Sequence, residues 1–357
     1  MKRNSTVNPT QNLFGFWTDF WLTSGISILF IGGLLLSGTH IESSSGDGTR
    51  IISMAILLQL LLNWPHFMIS YRLLYQQPEC CQRFPGATIV VPGLLVLLIM
   101  VIWFLGKGSQ DEVSKSLLIS YIMWLVASFY LAWHYVGQAW GCISTFSLLS
   151  KQQWSPWQKR ILHWSLRLLI VWHVVWAAQL LPSMPWVSWV QNEVVYAIAS
   201  YVALFSFVVS GMLVFPAWKK RQIDLRTMGV WFSIYLWYLA IYFDSSFIFW
   251  AQLSHALQYL VFASRVELNQ SVGGDTKIPA RVRVQLTYAG SVVAGALIFW
   301  QSELSANLNS ATPTIIGLLA IAINIHHYYV DSAIWKLRDA PTRALLFGHL
   351  GASNRDK

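Results

Sequence analysis

The chain has 357 residues, of which 55% are hydrophobic and only 11% are Asp, Glu, Lys or Arg, far below the roughly 25% typical of soluble proteins. With a mean hydropathy of +0.49 and 20 Trp, 19 Phe and 14 Tyr, the composition excludes a soluble enzyme, and long unbroken apolar runs exclude a barrel whose strands alternate apolar and polar over about 10 residues. The net charge of +9 gathers in short gaps between apolar runs, as topology determinants do, and no basic stretch interleaved with aromatics points to nucleic acid.

Residues 1–12 are polar and open Met1-Lys2-Arg3. They lack the order of a cleavable signal, so the first helix is expected to be retained. Runs of about 20 apolar residues predict an all-α, polytopic chain of ten transmembrane helices over 13–36, 51–74, 87–105, 117–149, 161–181, 194–215, 228–243, 247–263, 284–300 and 313–335. Asp244-Ser245-Ser246 divides a run too long for one crossing and reads as a tight turn, with a single kinked helix as the alternative. Residues 267–277, containing Gly273 and Gly274, read as a cytoplasmic loop, and 338–357 as a cytoplasmic tail. The whole of 1–357 is expected to form one transmembrane domain.

With a cytoplasmic N-terminus, about twenty of the 24 Lys and Arg fall inside, and only Arg50, Lys107 and Lys115 fall outside. That asymmetry favours ten spans with both termini cytoplasmic, in a membrane such as the bacterial inner membrane. Cys80, Cys81 and Cys142 offer neither a disulfide framework nor a C-x-x-C metal spacing.

Ionisable groups at membrane depth are costly and point to function. Span two carries Asn63-Trp64-Pro65-His66 and then Ser70-Tyr71, span four His134 and Gln138, span eight His255, Gln258 and Tyr259, and span ten His326-His327-Tyr328-Tyr329-Val330-Asp331. His134 and Gln138, His255 and Gln258, and His327 and Asp331 each share a helix face. All four spans run in the same direction. His66, His255 and His327 precede a cytoplasmic-side basic residue by six, ten and nine positions, a common depth of roughly 9 to 15 Å. His134 stands higher, seventeen positions before Lys151. Pro65 is expected to kink span two beside His66.

Imidazoles with a carboxylate suit a transition metal. The expected ligands are His66, His134, His255, His327 and Asp331, with His326 a sixth ligand or an outer group, and with Asn63, Tyr71, Gln138 and Gln258 orienting ring nitrogens. Asp331, Tyr259 and Arg167 are the candidate catalytic groups, Arg167 as a counter-charge for a substrate anion. Snorkelling explains Arg167 equally well, and interhelical hydrogen bonding explains any single histidine. Only the joint pattern over four spans argues for a site. His163 and His173 read as interfacial and packed residues, and His40 and His349 fall in loops.

The absence of thiolate favours iron over structural zinc, with zinc or copper as alternatives and haem behind them. The leading expectation is a non-haem iron oxidoreductase or oxygenase acting on a hydrophobic, lipid-like substrate with a redox partner. A zinc-dependent intramembrane hydrolase and a metal-handling transporter are the alternatives. The histidine boxes H-x-x-x-H and H-x-x-H-H of membrane hydroxylases and desaturases do not occur, and no family resemblance is claimed.

Overall fold

The computed structural model describes residues 11–38, 54–55, 57–152, 154–183, 185, 187–272, 278–304 and 315–352, and among these it contains helices and no strand. His40 and Arg50 lie outside the described residues. The helices are α1 (Phe16–Leu36), α2 (Trp64–Tyr75), α3 (Gly86–Leu105), α4 (Gln110–Leu149), α5 (Pro156–Gln179), α6 (Glu193–Lys219), α7 (Leu225–Phe243), α8 (Phe247–Val272), α9 (Ala280–Leu304), α10 (Ile315–Ile334) and α11 (Ala340–Ala352). Six of them, α1, α3, α4, α5, α6 and α9, are long and apolar enough to cross a membrane. Helix α2 is short, and α8 and α10 carry the very histidines, glutamines and aspartate singled out above, which lower their hydropathy.

Local chemistry sets the helix starts. Ser109 and Glu112 form a reciprocal capping box at α4, as do Ser155 and Gln158 at α5, where Pro156 takes the first helical position. Asn192 accepts from the Val194 amide at α6, and Asp224 accepts from the Thr227 amide at α7. Between α7 and α8 the backbone is extended at Asp244, whose carboxylate accepts the Ser246 amide at 2.8 Å. The Asp244 to Ser246 stretch is therefore a turn, and the two helices it joins pack on each other.

Three π-helical turns interrupt the regular pattern: Trp21–Gly25 within α1, Gln59–Asn63 just before α2, and Gly86–Val90 at the start of α3. The expected kink at Pro65 takes this form. Pro65 occupies the first turn of α2, where its missing amide hydrogen costs nothing, and the preceding π turn re-aims the chain. A π turn shifts backbone pairing by one residue and is frequent at functional sites.

The four histidine-bearing helices close a ring: α2 packs on α8 and α10, and α4 packs on the same two. Helix α4 has 40 residues, about 60 Å of helix against a hydrocarbon core of about 30 Å, so it must tilt or project. That slack explains how His134 reaches the others despite its distance from Lys151. Residues 340–352 of the expected tail form α11, which lies on α8. Asn269 donates to the Leu345 and Leu346 carbonyls at 2.8 and 2.9 Å.

A buried ion network ties the N-terminal segment to this bundle. Arg226 is fully buried, with its Nη1 3.1 Å from Asp19 Oδ2 and its Nη2 2.6 Å from Asp224 Oδ2. Asp19, also fully buried, accepts the Leu13 and Phe14 amides at 2.9 and 3.0 Å. Arg226 further donates to Asn12 Oδ1 and to Ser150 Oγ at the end of α4. Removing one member of such a network strands a buried charge, which costs about 3 to 5 kcal/mol. Arg226→Ala is accordingly expected to lower the unfolding free energy by about that amount in a denaturant titration of the purified protein; a loss below about 1 kcal/mol, as for an exposed ion pair, would contradict the clamp.

Candidate metal centre

Each corner of the ring sends one imidazole inward. His66 from α2, His134 from α4 and His327 from α10 converge on the Asp331 carboxylate of α10, and one ligand atom from each of the four lies within 4.8 Å of every other. From Asp331 Oδ2 the His66, His327 and His134 Nε2 atoms stand at 3.4, 3.6 and 3.7 Å. These separations are at or past the limit of a hydrogen bond. They lie close to the ligand-to-ligand edge of roughly 3.3 Å that metal bonds of about 2.0 to 2.1 Å give at tetrahedral angles. All four side chains are buried, and His327 is wholly so.

His255 from α8 completes the circle. Its Nε2 lies 2.8 Å from His134 Nε2, a hydrogen bond in which one imidazole donates and the other accepts. Nδ1 of His66, Nδ1 of His255 and both ring nitrogens of His327 are buried without a hydrogen-bond partner. A metal ion would give the His327 Nε2, which also faces Asp331, the partner it lacks. The donor chemistry therefore fits a metal ion, and His66, His134, His327 and Asp331 could hold one, with His255 alongside.

Aromatic packing fixes the rings. Phe67 stacks on His327 with centroids 3.9 Å apart, and the Tyr259 ring lies 4.2 Å from that of His66. Ser70 Oγ donates to the Tyr259 hydroxyl at 2.7 Å, which sets the phenol beside the group.

Several expected site residues lie elsewhere. His326 is not brought into the group: its Nε2 is 2.6 Å from the Ala87 carbonyl of α3, and its ring stacks on Tyr71. Adjacent helical residues diverge by about 100°, so His326 and His327 cannot both face the ring interior. Tyr71 donates to the Ile323 carbonyl at 3.2 Å and does not orient a ligand imidazole. Asn63 closes the π turn ahead of α2.

The two glutamines act on backbone and not on ring nitrogens. Gln138 donates to the His255 carbonyl at 2.8 Å and to Gln258 Oε1 at 3.1 Å, while Gln258 donates to the Thr23 carbonyl at 2.6 Å. The resulting ladder bolts α4 to α8 and α8 to the π turn of α1. A side-chain amide is a strong donor, and these two reach one carbonyl in a regular helix and one in a π turn. Ala87, which receives His326, also belongs to a π turn.

Arg167 on α5 stands outside the group, its guanidinium 5.5 Å from the Trp133 ring and 4.9 Å from the Trp164 ring. His163 stacks on Trp140, His173 is buried against Trp176 and Tyr238, and His349 Nε2 lies 3.0 Å from the Asn12 carbonyl. Sequence reasoning missed Phe67 and Thr23, and the Asp19 and Arg226 pair of the fold. Asp19 carried a legible signal, as an acidic residue inside the first apolar run, whereas nothing in the sequence marks where a π turn frees a carbonyl.

No family model matches this chain, and neither a curated protein nor a solved structure does.

Replacing a ligand by Ala removes a bond that no neighbour restores. His66→Ala, His134→Ala, His327→Ala and Asp331→Ala are each expected to lose bound metal in elemental analysis of folded protein, whereas His326→Ala keeps it. Gln138→Ala, which loosens only the shell, is expected to weaken metal affinity by about 10 to 100-fold in a chelator competition. Full metal retention in folded His66→Ala and His327→Ala would assign these histidines to packing.

Proposed function

We propose that this chain is a membrane-embedded, metal-dependent enzyme whose centre holds iron and acts oxidatively on a hydrophobic, lipid-like substrate. The observation that carries the reading is the convergence of three buried imidazole nitrogens on one oxygen of Asp331, at ligand-edge distances. The candidate donors number four, His66, His134, His327 and Asp331. They are imidazole and carboxylate without thiolate, the set that suits non-haem iron. When bound there, iron would supply one-electron chemistry, and a redox partner would supply or accept the electrons.

The protein's own residues would do the rest. Asp331 supplies the negative charge that offsets the cation, and the ring of helices keeps the site dry. Tyr259, fixed by Ser70, presents a phenol next to His66 for a hydrogen bond to substrate. Arg167, resting on Trp133 at the edge of the same region, would pair with an anionic end of the substrate.

The ten-span topology with both termini cytoplasmic, in a bacterial inner membrane, belongs to the same proposal. It rests on the asymmetry of basic residues.

Elemental analysis and an optical spectrum of one preparation test the metal. Iron without a Soret band is expected; zinc alone would shift the reading to a hydrolase that activates water, and no metal would end it. Reporter fusions after Arg72, Lys151 and Arg221 are expected to report cytoplasm and fusions near Glu112 and Asn192 the outside, and a reversal at any of them breaks the topology. Arg167→Gln is expected to retain metal and to lose affinity for anionic amphiphiles; unchanged binding would leave Arg167 as a snorkelling residue.

A further inference from the structure

A cavity of about 240 Å³ leads away from the centre. His134, Asp331 and Tyr259 line one end, and Phe262, Leu337 and Leu346 line other parts of its wall. Its lining thus joins two of the candidate metal ligands to a largely apolar wall. On the α4 side the wall follows one helix face: His134, Gln138, Gly141 and Thr145 recur at helical spacing, with Gly137 beside them.

The two glycines are decisive. A Cβ built on Gly137 or on Gly141 would meet no atom within 4 Å, so the space beside each is open. Gly137 is exposed although it lies one turn from buried His134. Across the cavity, Ser332 is exposed although it directly follows buried Asp331. Both α4 and α10, which pack on each other, therefore pass from the buried centre to the protein's outer face within a single turn.

We infer that this cavity is a lateral portal between α4 and α10 through which an alkyl chain lies with its reacting end at the metal, and that Gly137 and Gly141 set the width of the portal. The occupant is a long apolar chain. A compact polar substrate would leave the Phe262, Leu337 and Leu346 wall unused, and an apolar slot opening beside a metal gains its affinity from methylene burial. The inference rests on the metal reading above and deepens it by naming the substrate class and the residues that select it.

The test uses the full chain in detergent, loaded with Co(II) and titrated with 1-decylimidazole or 1-methylimidazole while the visible cobalt absorption is followed. Both probes offer the same metal-binding nitrogen, and only the first carries a chain. Decylimidazole is expected to bind more tightly than methylimidazole to the native protein. Gly137→Leu and Gly141→Leu should each weaken decylimidazole by about tenfold or more, since excluding two methylenes already costs that much, and methylimidazole should be little changed. Gly93→Leu, at an exposed α3 glycine that also has open space beside it, should alter neither probe.

Cobalt stoichiometry reports that each variant retains its folded centre, and Gly137→Val serves should the leucine fail to fold. Equal decylimidazole affinity in the native, Gly137 and Gly141 proteins would overturn the portal, as would an equal loss in Gly93→Leu. Failure of the native chain to take up cobalt would instead remove the metal centre, and the portal with it.

Discussion

One carboxylate oxygen faces three imidazole nitrogens inside a ring of helices. Asp331 cannot hold a proton and donate it to His66, His134 and His327 at once, and at 3.4 to 3.7 Å it makes a strong hydrogen bond to none of them. A buried anion without compensation costs several kcal/mol. Neutral imidazoles with unpaired nitrogens add to that cost, and a cation held at the middle would offset it. The order of the four helices follows from the same requirement, because each must deliver one side chain to a common point.

The shell around that point is built in part on helix backbone carbonyls that accept side-chain donors. The π turn of α1 offers the Thr23 carbonyl to Gln258, and that of α3 offers the Ala87 carbonyl to His326. The third π turn delivers Pro65 and His66 into α2. Local departures from regular helix thus tie α8 to α1 and α10 to α3 without placing further charges near the centre. The charges that are needed sit in the Arg226 clamp, where Asp19 and Asp224 share one guanidinium and position the start of α1 against the ends of α4 and α7. Since α1 presents Thr23 only when it is seated, the clamp and the metal centre belong to one mechanical chain: Arg226, α1, Thr23, Gln258, α8 and His255.

The sequence by itself determined the solvent of this protein, the helices and the cast of the site. Twenty-residue apolar runs in a chain with 11% charged residues admit only helices, since a helix satisfies its own backbone in lipid. The turn at Asp244 was legible because three polar residues interrupt one such run. The grouping of His66, His134, His255, His327 and Asp331 was legible because intramembrane ionisable residues are too costly to be scattered at random, and their shared direction limited how they could meet.

Tertiary structure alone decided the rest. Which of two adjacent histidines faces inward depends on how α10 is rotated about its axis, and α3 settles that rotation by accepting His326. Whether Gln138 and Gln258 touch ring nitrogens or carbonyls depends on which carbonyls the packing of α1, α4 and α8 brings within their reach. The alkyl-sized space beside Gly137 and Gly141 exists only because α10 and α11 stand off from α4 there. Hydrophobicity and charge act through each residue's own chemistry and so can be read one position at a time, whereas rotation, backbone register and empty space are properties of helices packed together.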